Sequence, residues 1–171
     1  MRVQNSSINT LQMYSKVNKG FGNTVIVPIK GLSSGVYTYD YTCEHSFFDQ
    51  FGNQDVRDAH VEVHVVLEKE ERWMRLIIVM NGTLLRSCDR CLGDVLTPVN
   101  YRASVVVKFA KSYGEEEGDE LFLLEPAATQ IDLTQYVYDS ICVSLPIQSL
   151  HPLGQCDPEM ERKLSQLTVN P

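Results

Sequence analysis

The sequence predicts an α+β fold, a mainly antiparallel β-sheet or partly open barrel with one or two covering helices. Three observations carry that expectation. Long β-branched segments alternate apolar and polar residues with the period of a strand, turn-forming residues separate them, and one stretch beginning near residue 132 has clear helical periodicity.

Residues 24–31 are β-branched and alternating, and Pro28 confines that strand to an edge or a bulge. Gly31 to Gly35 is a turn, and Val36 to Thr42 alternates strictly, placing Tyr37, Tyr39 and Tyr41 on one face. Phe47, Phe48 and Phe51 fit the apolar face of a short helix that ends at Gly52 and plugs one end of the sheet. His60 to Leu67 sets valines on one face against His60, Glu62 and His64 on the other, and the chain returns through Trp73 to Met80 as a long hairpin. Asn81-Gly82 has the composition of a type I′ turn, so a further strand is expected over Thr83 to Ser87, running straight into Cys88. Val95 to Ala110 reads as a strand pair or one long bent strand, with Pro98 at an irregularity. An acidic loop, Glu115 to Glu120, precedes a short strand over Leu121 to Leu124. Asp132 with Gln135 has the form of a capping box, after which Leu133, Tyr136, Val137 and Ile141 recur at helical spacing until Pro146 closes the pattern. The tail after Pro158 is polar, with room for a short helical segment.

A chain of 171 residues fits one core with appendages. The expected organisation is a disordered leader over residues 1–22, a single β-rich domain over 23–150, and a C-terminal loop and tail over 151–171 that docks near the Cys88/Cys91 turn. With 43% apolar and 22% charged residues the composition excludes a disordered chain. No apolar run approaches the roughly 20 residues that span a bilayer, so no membrane partner is expected. Polar residues Gln4, Asn5, Ser6, Ser7 and Asn9 interrupt the start of the chain, so it does not read as a secretory signal and a cytoplasmic location is expected. Five cysteines, an odd number without an export signal, argue against a disulfide framework.

The net charge of −7 repels nucleic acid overall, but the charge is segregated. From Arg72 to Lys111 the local balance is +5, through Arg72, Arg75, Arg86, Arg90, Arg102, Lys108 and Lys111 against Asp89 and Asp94. From Ser112 to Ile141 there are eight acids and no Lys or Arg. The basic half holds the cysteine pair Cys88 and Cys91, whose C-x-x-C spacing lets two thiolates on one turn take adjacent corners of a tetrahedral zinc site. His151 and Cys156, in a loop bounded by Pro152, Gly154 and Pro158, are the remaining ligand candidates. Two other readings stand beside zinc: small buried cysteines of a structural turn, and a thiol redox site. The redox reading is weakened because the pair follows a hairpin strand instead of opening a helix. Arg90 lies between the cysteines, and with Arg86, Arg102 and Lys108 it can form a patch that contacts phosphate or a partner; the alternative is an internal pair with Asp89 or Asp94. His60, Glu62 and His64 read as a solvated strand face, and Cys43 with His45 lacks a third orienting group. No nucleophile motif or nucleotide fingerprint is present, so neither an enzyme nor a small-molecule substrate is expected.

The run Gly82-Thr-Leu-Leu-Arg-Ser-Cys-Asp-Arg-Cys-Leu92, followed by an acidic loop, Ile131-Asp132-Leu133 and Leu145-Pro146, resembles the YceD-like family of bacterial and plastid proteins. Lys30 to Gly35 and Phe47-Phe48 are similar to its Bacteroidetes variant. The resemblance covers about residues 24–160 and implies a non-enzymatic role in accumulation or maturation of large-subunit ribosomal RNA, with that RNA or a basic ribosomal protein as partner. Many members carry a second C-x-x-C-G cluster after the Leu-Pro, where this chain offers His151 and Cys156 instead. A protein-only adaptor with a structural cysteine turn is the rival reading.

Overall fold

A computed structural model describes residues 14–71, 73–109 and 121–167. In chain order the elements are β1 (Tyr14–Phe21), β2 (Ile26–Pro28), β3 (Gly35–Glu44), α1 (His45–Asp49), β4 (Val56–Lys69), β5 (Met74–Ser87), β6 (Asp94–Phe109), β7 (Leu121–Leu124), β8 (Gln130–Asp132), α2 (Thr134–Ser144) and α3 (Pro158–Leu167). One sheet has the order β1-β3-β4-β5-β6-β7, and β2 pairs with β8 in a separate two-stranded sheet. The centre, β3 to β6, is antiparallel; β1 and β7 join its edges in parallel. The fold is therefore α+β, with an open sheet and not a barrel.

Alternation decides which face is buried. Val61, Val63, Val65 and Leu67 of β4, Met74, Leu76, Ile78, Met80 and Leu84 of β5, and Val99, Ala103, Val105 and Val107 of β6 all point to one side. That side is covered by β2, β8, α2 and the residues that flank them, which contribute Val25, Val27, Ile131, Leu133, Val137 and Ile141 to the same core. Tyr39 and Tyr41 stitch the layers together, donating their hydroxyls to the carbonyls of Pro28 and Ile26. The helix α1 tucks Phe47 and Phe48 into the core, and Phe51 stacks on Tyr138 at 4.0 Å. The expected plug at one end of the sheet is thus formed.

Four local expectations change. Residues 14–21, assigned to a disordered leader, form β1, because β3 has an edge whose backbone groups pair with any extended chain, polar or not; residues 1–13 of that leader lie outside the described residues. The strand expected over 24–31 shrinks to three residues around Pro28. Asn81-Gly82 is not a turn: β5 runs through it in unbroken register, Asn81 opposite Glu62 and Gly82 opposite Val61. Gly82 does not take a positive φ; a Cβ there would lie 2.1 Å from the His60 carbonyl oxygen and 2.6 Å from the Val61 Cα. Glycine is required for close strand approach, not for reversal. The capping box also fails to close: Asp132 Oδ1 accepts the Thr134 N–H at 2.9 Å, but Gln135 turns away to Asp139 at 2.8 Å.

The segment Asp94–Phe109 is one strand, with Pro98 exposed in the stretch whose outer edge no described strand pairs. The acidic loop and the cations Arg72 and Lys111 lie outside the described residues. Among the described residues no helix is long and apolar enough to cross a membrane.

Candidate metal centre

The strand β5 ends at Ser87 and delivers Cys88 into a tight reversal that enters β6 at Asp94. The Cys88 N–H donates to Gly93 O at 2.8 Å and the Leu92 N–H to Cys88 O at 2.9 Å. Closing the loop this tightly forces Leu92 to φ 59°, the one non-glycine positive φ among the described residues. This turn presents Cys88 and Cys91 on the same side.

The second arm is the irregular segment between α2 and α3. Ser149, 2% exposed, is held from both sides: the Asp89 N–H donates to its carbonyl at 2.8 Å, and its own N–H donates to Asp89 Oδ2 at 2.7 Å. His151 Nε2 then lies 2.8 Å from Asp94 O. A carbonyl only accepts, so Nε2 carries the proton and Nδ1 offers its lone pair to the sulfurs. A histidine anchored through its far nitrogen to a carbonyl is the usual outer-shell arrangement of a metal ligand. Cys156 arrives from the other side, just before α3, whose first turn is capped where Asp157 Oδ1 accepts the Met160 N–H at 2.9 Å.

The four donor atoms of Cys88, Cys91, His151 and Cys156 lie within 4.8 Å of one another. Cys91 Sγ is 3.3 Å from His151 Nδ1, Cys88 Sγ is 3.9 Å from Cys156 Sγ, and Cys156 Sγ is 3.9 Å from His151 Nδ1. A tetrahedral zinc ion with ordinary bond lengths separates two sulfurs by roughly 3.8 Å and a sulfur and a nitrogen by roughly 3.6 Å. The three separations above lie within about 0.3 Å of these values, and with all donors inside 4.8 Å the set closes on one ion by small side-chain shifts.

The electrostatics favour the metal-binding form at two of the four donors. Burial pushes the Cys88 thiol up, but backbone N–H groups of Cys91, His151 and Arg90 aimed at its sulfur pull it down to about 6. Cys91 is lowered by the N–H groups of Asp157 and Gly93. His151 is raised, chiefly by its bond to the Asp94 carbonyl. Cys156 is held up to about 11 by burial and by the neighbouring sulfurs. Backbone N–H groups thus favour the thiolate form at Cys88 and Cys91, and a divalent cation would supply the charge that lets Cys156 ionise.

The four cations expected to share a patch are divided. Arg90 pairs with Glu161 of α3 at 3.4 Å, and not with Asp89, which holds Ser149, or Asp94, which pairs with Arg57. Arg86 lies on the core-facing row of β5, whereas Arg102 and Lys108 lie on the opposite, outer face of β6, about 20 Å apart along the strand. His60, Glu62 and His64 stand on that outer face too, with His64 paired to Asp40. Cys43 is buried in the core, its thiol pushed up to about 12 by burial. Sequence reasoning missed Ser149 and Glu161; neither has a signature, since each is placed by a contact 60 or more residues distant.

Fold and site together define an open-sheet α+β protein with a strand-end centre of three cysteines and one histidine. The chain belongs to the YceD family, large ribosomal RNA subunit accumulation proteins, whose family model matches residues 77–169, just over half its length. The match spans both arms of the centre. No curated protein and no solved structure matches the chain.

Proposed function

We propose that this protein is a non-enzymatic cytoplasmic factor that supports accumulation of large-subunit ribosomal RNA by binding the RNA or a ribosomal protein, and that Cys88, Cys91, His151 and Cys156 hold a structural zinc ion. Family membership supports the ribosomal role. The observation that carries the metal reading is the convergence of four donors within 4.8 Å. Three thiolates and an imidazole suit zinc, and four protein ligands leave no open position for a reacting water, so the ion's role is architectural. It fixes the segment from Leu145 to Asp157 against the 88–94 turn, and with it the binding end of the sheet. The acidic residues at 115–120 give a basic ribosomal protein a complementary charge.

Elemental analysis of protein purified without chelator should give one zinc per chain, lost in Cys91→Ala. Co-sedimentation with pre-ribosomal particles at low salt should weaken in Cys91→Ala and in Arg90→Ala. If neither substitution alters association or ribosomal RNA levels, the metal-bearing end is not the binding end.

A further inference from the structure

Beside the metal centre, the sheet ends in an arginine that has no ion-pair partner among the described residues. Arg86 closes the core-facing row of β5, where its Nη1 is fully enclosed and has no hydrogen-bond partner among the described residues. A buried donor without an acceptor opposes folding, so such a group usually marks strain or an absent ligand. The guanidinium lines a cleft of about 360 Å³ between the loop after α1, which contributes Asn53 and Asp55, and the end of α2 with the segment beyond it. Two apolar side chains of that far wall face solvent: Val143 is 81% exposed and Ile147 entirely so. A half-buried cation lining a cleft beside exposed aliphatic groups combines one orienting polar contact with an apolar surface to be covered.

We propose that this cleft binds a segment of a partner protein in which an acidic side chain is flanked by apolar residues, the carboxylate meeting Arg86 and the apolar neighbours covering Val143 and Ile147. This rests on the reading of the protein as a binding factor and names the chemistry of one partner contact. A guanidinium takes a carboxylate through two parallel N–H bonds, which fixes orientation as well as charge. RNA is disfavoured: a phosphodiester chain would bring repeated negative charge past Asp55 with one cation to meet it, and the cleft lining has no aromatic ring on which a base could stack.

The test uses the full zinc-loaded chain with the peptide acetyl-Leu-Asp-Leu-amide, followed by nuclear magnetic resonance at the Arg86 side chain and the Val143 and Ile147 methyls. Saturable shifts at all three are expected, with binding at least tenfold weaker for the Leu-Asn-Leu counterpart. Arg86→Met and Ile147→Asp should each weaken binding at least tenfold. Arg86→Met should leave the melting temperature unchanged or raise it, whereas an arginine retained for structure would lower it. Absence of saturable shifts, equal binding of the asparagine peptide, full competition by inorganic phosphate, or a lowered melting temperature in Arg86→Met each overturns the proposal. So do contacts between Val169 and Ile147 without peptide, which would mean the chain's own end fills the cleft. Co-sedimentation of the same variants separates the two readings: peptide binding without ribosomal association overturns only the ribosomal role, and the reverse overturns only the cleft.

Discussion

Leu92 adopts a backbone conformation that most residues avoid, and the 88–94 turn needs it there to bring Cys91 round to Cys88. The side chain is 63% exposed, so little packing offsets the strain. Leu92→Gly should raise stability by about 1 kcal/mol, read as a higher melting temperature, with zinc content unchanged. Gly82 is the opposite case. Its missing Cβ would meet backbone, which cannot step aside, so Gly82→Ala should cost about 3 kcal/mol in chemical denaturation. The cysteine spacing and the two later donors that the fold brings beside it, His151 and Cys156, were legible at this scale, because two thiols three residues apart limit what a turn can do. The partner of Arg90 was not: Glu161 is 71 residues away, and Asp89 and Asp94 were nearer in sequence but already held by Ser149 and Arg57. The four cations do not share one face for a related reason, since strand parity sends Arg86 and Arg102 to opposite faces.

Among the elements, the alternating strands and the helix after Asp132 were readable because periodicity records which face is buried. Asn81-Gly82 misled because the same dipeptide serves a reversal and a close strand crossing, and only the neighbouring strand decides which. The leader misled because β1 is held by backbone pairing, which leaves no apolar pattern in the sequence. The helix α3 buries no side chain of its own; it is held through Cys156, the Met160 contact and the Arg90–Glu161 pair. Chelation should therefore speed amide exchange across residues 158–167 by at least tenfold while leaving β4 and β5 protected, a contrast that hydrogen exchange reads directly. Uniform acceleration along the whole chain would contradict it.

Across the molecule, the described residues form two apolar clusters of unequal size. The large one joins the sheet to β2, β8, α1 and α2; the small one holds Cys88, Cys91, Val95 and Cys156, with Met160 packed against it. Stability should follow the large one. Ile78→Ala, at its centre, should cost 2–5 kcal/mol whether or not metal is present, as measured by denaturant titration (about the usual range for a buried isoleucine). Pro98 has a consequence on the same scale. Among the described residues only Val106 to Phe109 of β6 are paired with β7, so the stretch around Pro98 presents backbone groups that another extended chain, including another copy of this one, could pair with. A residue that cannot donate, set in the middle of this row, interrupts the template. Edge-to-edge polymerisation is thereby resisted by a single ring, and Pro98→Thr should remove that resistance, visible as time-dependent light scattering at high protein concentration.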